Sequence, residues 1–145
     1  MNIVIDSREP TPHPWAPYLP EGLTYAQGTL ETGDFTLEGY ADLVVVERKT
    51  GPDLLGCIGA NRDRFERELK RSRHIGHFCI IVESTLPAIL KEARGIHPAA
   101  ILGTITAWTR RYCPILFAGS PELAARLAFR WLMQPFDEAE KITKK

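Results

Sequence analysis

The sequence predicts an α/β fold, a three-layer α/β/α sandwich around a mixed sheet. Three patterns carry that expectation. Short aliphatic runs, several of them β-branched, recur along the chain and suit buried strands. The first of these runs follow one another without a helix between them, as in a meander. The later runs alternate with stretches of helical periodicity. With 145 residues, 44% hydrophobic and 25% charged, the chain fits one domain with a sizeable core.

Asn2 to Asp6 reads as the first strand, with Ile3 and Ile5 on one face and Val4 and Asp6 on the other. Pro10, Pro12, Pro14, Pro17 and Pro20 then forbid helix or central strand and give a stiff loop, which Trp15 and Tyr18 are expected to anchor. Leu23–Leu30 is a second strand, Asp34–Leu37 begins a third, and Leu43–Val46 leads into Glu47-Arg48-Lys49 as the most β-prone run of all. Thr50 and Asp53 have capping-box spacing, so a short helix runs from Asp53 to Ile58. A second helix spans Asn61 or Arg62 to Arg73, its buried stripe marked by Phe65 and Leu69. Phe78–Val82 is a buried strand and Leu86–Ala93 a helix. Pro98–Tyr112 is a longer helix with Ile101, Ile105, Trp108 and Tyr112 on one stripe. Ile115–Ala118 is the last strand. Ser120 caps a final helix whose apolar face is read as Leu123, Leu127, Trp131 and Leu132. The domain is expected to cover residues 1–134, with 135–145 a polar, frayed tail.

Chemistry concentrates between Gly33 and Asp53. On a strand, Glu47 and Lys49 point the same way and Arg48 the other. Glu-x-Lys occurs twice, but Glu68 and Lys70 lie in a helical run, where residues two apart diverge by about 200°. Only the strand-borne pair can therefore build a site. Asp6, Asp34, Glu47, Lys49 and Asp53 all fall at strand ends or in the turn that follows one. Carboxylates gathered there repel unless a cation lies between them, and oxygen ligands with several waters suit Mg²⁺ or Mn²⁺. Such a site handles a phosphodiester well, with Lys49 orienting water or offsetting charge in the transition state. Two residues have plainer readings: helix capping alone accounts for Asp53, and Asp6 can pair with Arg8.

Asp6-Ser7-Arg8-Glu9, Gly33-Asp34 and Glu47-Arg48-Lys49 followed by Asp53 together resemble the XPF-type nuclease domain. Its signature is Gly-Asp, a variable stretch, then Glu-Arg-Lys-x-x-x-Asp, and the resemblance spans Asn2 to about Leu132. It implies a restriction-endonuclease-like fold and a metal-dependent endonuclease that cuts branched, flap or fork DNA near duplex–single-strand junctions. It further implies that Asp34 and Glu47 bind the metal with help from the Arg48 carbonyl, that Asp6 is an accessory acid and metal ligand, and that Lys49 is the catalytic amine. Arg8 and Arg48 become phosphate or structural contacts, and the last two helices a homodimer interface. The family also contains non-catalytic DNA-binding or scaffolding subunits of repair and recombination complexes, which stand as the alternative.

The sequence departs from the pattern twice. Arg62-Asp63-Arg64-Phe65-Glu66-Arg67-Glu68 has the arginines and the aromatic of the family's Arg-x-aromatic-x-Gln helix but no glutamine. The chain is also too short for the usual tandem helix-hairpin-helix domain, so DNA affinity and junction choice are expected either to be weak or to be supplied by a partner. Arg62 to Arg73 holds six basic and three acidic residues. That run reads either as a solvated face laced with i,i+4 pairs or as a phosphate-tracking edge in which Arg62, Arg64 and Arg73 contact DNA. Formal net charge is zero, so DNA binding needs a local patch. Cys57, Cys79 and Cys113 lack metal-ligand spacing and suit buried thiols. No leader or membrane-spanning run is read, so a cytoplasmic or nucleoid-associated location is expected.

Overall fold

The aliphatic run beginning at Val44 becomes a strand with neighbours on both sides, and its two faces define the layers. A computed structural model of the chain describes residues 1–143. Its strands are β1 (Asn2–Asp6), β2 (Thr24–Gly28), β3 (Phe35–Leu37), β4 (Val44–Lys49), β5 (His77–Val82) and β6 (Ile115–Phe117), in the sheet order β2-β1-β3-β4-β5-β6. The helices are α1 (Gly51–Ile58), α2 (Arg62–Ser72), α3 (Leu86–Glu92), α4 (Pro98–Arg111) and α5 (Pro121–Thr143). β3 runs antiparallel to both β1 and β4, whereas β4, β5 and β6 run parallel. The sheet is mixed and has helices on both faces, the expected three-layer α/β/α sandwich.

Side-chain alternation sorts the core into two halves. Val45, Phe78, Ile80 and Val82 pack against Leu54, Phe65, Leu69, Ile89, Ile101 and Trp108 from α1 to α4. Val44, Val46, Cys79 and Ile81 pack on the opposite face against α5 and the proline-rich loop. Glu47 and Lys49 continue the face of Val45, and Arg48 continues the face of Val46. The three cysteines are free and buried.

Three details correct the sequence reading. β2 is not the middle strand of a meander but an edge strand parallel to β1. A parallel pair requires a crossover rather than a hairpin, and the proline-rich segment supplies it. Trp15 anchors that crossover, fully buried and stacked on Phe35 at a ring separation of 4.6 Å. On α5 the buried stripe is Ala124, Ala125, Ala128, Phe129 and Leu132, while Leu123 and Leu127 are exposed. Small alanines let the helix axis approach the sheet closely, so the leucines face outward. Finally, α5 continues through Pro135 to Thr143, beyond the expected fraying point. The Phe136 ring meets Tyr40 edge-on at 4.8 Å and fastens that last stretch to the β3–β4 connection. The last two residues of the expected tail lie outside the described residues.

Trp15→Ala should cost about 3–5 kcal/mol, the usual range for emptying a buried aromatic site. A shift of the urea unfolding midpoint at unchanged slope would measure it.

Candidate active site and metal centre

The site begins with a backbone requirement. Gly33 has φ +87, and a Cβ there would collide with Val45 Cγ1. Only glycine meets both conditions. The turn it makes delivers Asp34 to the end of the sheet, where the Asp34 N–H donates to the Val46 carbonyl at 2.9 Å and the Asp6 N–H donates to the Asp34 carbonyl at 2.8 Å. Asp34 Oδ2 then accepts the Arg48 backbone N–H at 2.7 Å. The Gly-Asp pair is thus held against the charged end of β4 by main-chain bonds.

β4 delivers Glu47 and Lys49 to the same end. Glu47 is 4% exposed; its Oε1 lies 3.3 Å from Lys49 Nζ, and its Oε2 is buried with no hydrogen-bond partner among the described residues. Lys49 Nζ sits 4.8 Å from the centre of the Phe65 ring. A cleft of about 320 Å³ opens beside Lys49, lined also by Asp53 and Cys57 from α1 and by Arg64 and Glu68 from α2. A larger cleft, about 560 Å³, lies away from this chemistry between Tyr18 and α5.

Burial dominates the electrostatics. It pushes the Asp34 carboxyl up to about 7, with Glu9 and Glu68 adding to the rise while the Arg48 N–H and Lys49 oppose it. Burial likewise raises Glu47 well above the carboxylate range, and repulsion from Asp34 and Glu68 raises it further. Burial alone would lower Lys49, but the surrounding acids, Glu47 foremost, hold it above its ordinary value, so the amine stays protonated. Buried Glu47, with an unpaired oxygen, and half-buried Asp34 both resist ionisation and form a donor set that a hard cation would relieve. Among the described residues no three His, Cys, Asp or Glu side chains are gathered to hold an ion. Two carboxylates with the remaining positions left to water nevertheless fit Mg²⁺, which sheds its waters reluctantly.

The other sequence candidates separate. Both Asp6 oxygens are engaged, Oδ1 by the Leu30 N–H at 3.0 Å and Oδ2 by Arg8 Nε at 2.6 Å. Arg8 holds Asp6 below its ordinary value against the pull of burial. Asp6 is thus tied into the loop through Arg8 and Leu30, as its plainer reading has it, with both oxygens already accepting hydrogen bonds. Asp53 receives the helix cap, its N–H donating to Thr50 Oγ1 at 3.2 Å, while the exposed residue also lines the cleft.

Arg48 turns to the opposite face, where Nε donates to Glu83 Oε1 at 2.5 Å and Nη1 lies 3.5 Å from Glu9 Oε1. Trp15 Nε1 shares the same Glu83 oxygen at 2.8 Å, and His13 Nε2 lies 2.9 Å from Glu9 Oε1. At 10% exposed, the Arg48 side chain takes the structural alternative. Arg62 bonds to Glu66 and to Thr104 Oγ1 on α4, bracing two helices rather than facing solvent freely. Arg64 is exposed at the cleft, and Arg73 is exposed at the far end of α2, over the Tyr112 ring.

One residue was missed. Glu68 on α2 accepts the Gly33 N–H at 3.4 Å and acts on Asp34, Glu47 and Lys49 alike. The Glu-x-Lys test dismissed it for diverging from Lys70. Its relevant spacing is three residues after Phe65 and one before Leu69, which puts it at the border of the buried stripe of α2.

The family model of the ERCC4 domain matches residues 5–130. Among solved structures, XPF from Aeropyrum pernix matches with a TM-score of 0.72 at 20% identity, covering 93% of this chain and 61% of that one. XPF from the same organism in a complex with DNA matches with a TM-score of 0.70 at 19% identity, covering 94% and 66%. The chain therefore spans under two thirds of the length of the XPF chains it resembles. No curated protein sequence matches the chain.

A carboxyl raised in the folded state binds its proton there after the unfolded chain has released it. Asp34 thus contributes stability that is full below about 4, the unfolded range, and is lost as pH rises through about 7. The melting temperature of metal-free protein should fall across this window, and Asp34→Asn should flatten the fall. Thermal melts at graded pH in EDTA measure both effects.

Proposed function

The chain belongs to the ERCC4 domain family, and from that premise we propose that it is a Mg²⁺- or Mn²⁺-dependent DNA endonuclease that hydrolyses phosphodiester bonds in branched, flap or fork DNA. The observation that carries this reading is the buried, unpartnered Glu47 Oε2 set beside Asp34 and a protonated Lys49 at the edge of an open cleft. A scaffold has no need of so costly a group. The intact Gly-Asp and Glu-Arg-Lys-x-x-x-Asp spacing supports the same conclusion.

Asp34 and Glu47 would hold the metal, with the Arg48 carbonyl beside them. Bound there, the ion would polarise the phosphoryl group and lower the pKa of a coordinated water. Lys49, kept protonated by Glu47 and steadied over Phe65, would orient the attacking water and offset negative charge developing on the phosphate. Asp53 would set the outer wall of the cleft.

Arg8 and Arg64, both exposed near the acids, would contact DNA phosphates, with Arg73 farther along α2. The XPF structure solved with DNA supports DNA as the partner. Exposed Leu102 on α4 and Leu123 and Leu127 on α5 support a homodimer through the last two helices. Junction choice would fall to a partner or to the dimer. None of the described helices is long and apolar enough to cross a membrane, which fits a cytoplasmic or nucleoid-associated site of action.

Labelled flap, fork and plain duplex DNA should be cut with Mg²⁺ or Mn²⁺ and not with EDTA. Asp34→Asn and Lys49→Ala should each slow cleavage by at least about 100-fold, the scale of losing a group that stabilises transition-state charge. Metal-dependent cutting that survives both changes would sink the assignment. No cutting by the wild type, with DNA still bound in a gel-shift assay, would favour the scaffolding subunit.

A further inference from the structure

We propose that Glu68 is a third acid of the cation site, reaching a divalent cation through the ion's shell of water from α2 while Asp34 and Glu47 ligate it directly. The inference rests on the metal-dependent reading above and extends it to a residue outside the Gly-Asp and Glu-Arg-Lys-x-x-x-Asp motif.

Three observations converge. Glu68 is tied to the motif by the Gly33 N–H, which donates to its Oε1 at 3.4 Å, so the helix and the Gly33–Asp34 turn are in register. Its carboxylate lies close to the buried Glu47 and acts on Asp34 as well, and it lines the cleft beside Lys49. No ion pair to Glu68 forms among the described residues, whereas Lys49 is engaged by Glu47. The second pointer to a ligand is Glu47 itself, buried, with Oε2 unpartnered. Three acids then share one close lysine, with Arg8 acting on Asp34 and Glu68 from its pair with Asp6, and the acids crowded around the buried Glu47 call for a further cation.

The path through water follows from the donor count and the chemistry of the ion. The described acids form no three-residue cage, and Mg²⁺ characteristically keeps several waters while taking one or two carboxylates. A carboxylate just beyond the ligands orients and charges such a shell, and losing one typically weakens metal affinity about 10- to 100-fold. Glutamine at this position would keep an oxygen for the Gly33 N–H and lose only the charge.

The test is direct titration of Mn²⁺ into metal-free protein without DNA, followed by calorimetry and by loss of the free-ion electron paramagnetic resonance signal. Glu68→Gln should weaken Mn²⁺ binding by about 10-fold or more with no loss of melting temperature in EDTA, and Glu68→Asp should recover part of the loss in affinity. Glu122→Gln, on the exposed face of α5, should bind as the wild type does. Wild-type affinity in Glu68→Gln, with binding lost in Asp34→Asn, would overturn the role of Glu68 and leave the metal centre standing. Wild-type affinity in both would overturn the metal centre itself.

Discussion

The Arg48 backbone N–H donates to Asp34 Oδ2, and this hydrogen bond joins the turn before β3 to β4 where β4 changes from apolar to charged. Everything chemical depends on that registration. It places Asp34 beside the end of a strand whose next side chains alternate between two different environments. Glu47 and Lys49 enter the layer built by α1 and α2, and Arg48 enters the layer closed by the proline-rich crossover. One peptide unit thereby serves both faces of the sheet, its N–H holding an acid of the site and its side chain locked to Glu83.

The buried Arg48–Glu83 pair gains from company. Trp15 donates to the same Glu83 oxygen and lies 5.9 Å from the Arg48 guanidinium carbon, and Glu9 and His13 close the far side. Removing one member of such a cluster strands a charge in a poorly solvated place. The crossover that looks like an irregular insertion is therefore the back support of the site. It reaches the acids through β4 rather than by touching the cleft.

Much of this was legible in the residues. The β-branched runs, the Thr50 cap and the Phe65/Leu69 stripe locate nearly every element within a residue or two, because each is set by local sterics and burial. Strand parity likewise puts Glu47 and Lys49 on one face, and the Gly33-Asp34 turn brings an acid to the same end of the sheet, the centre of the candidate site. What stayed hidden depends on tertiary distance. β2 could not be placed outside β1, because an anchored proline-rich loop is compatible with either a hairpin partner or a parallel edge strand. Leu123 and Leu127 mimic a core stripe that alanines actually supply, since close helix–sheet packing favours small residues. The arginines could not be sorted by type, because only partners distinguish Arg62, braced on Thr104, from exposed Arg64. Glu68 was invisible as half of a Glu-x-Lys pair and becomes visible only opposite Glu47.

The unpaired Glu47 oxygen has an evolutionary consequence. A buried acid with an unsatisfied atom weakens the empty fold, so selection on stability alone would replace it with an apolar residue that continues the Val44–Val46 run. Such a replacement would not disturb Arg48, Glu83 or Trp15, which belong to the other face. A relative with no need of an acid at this position would thus have a short mutational route to a sturdier domain with the same architecture. Under the proposed function, that gain in stability is what this chain forgoes by carrying Glu47 at the end of the run.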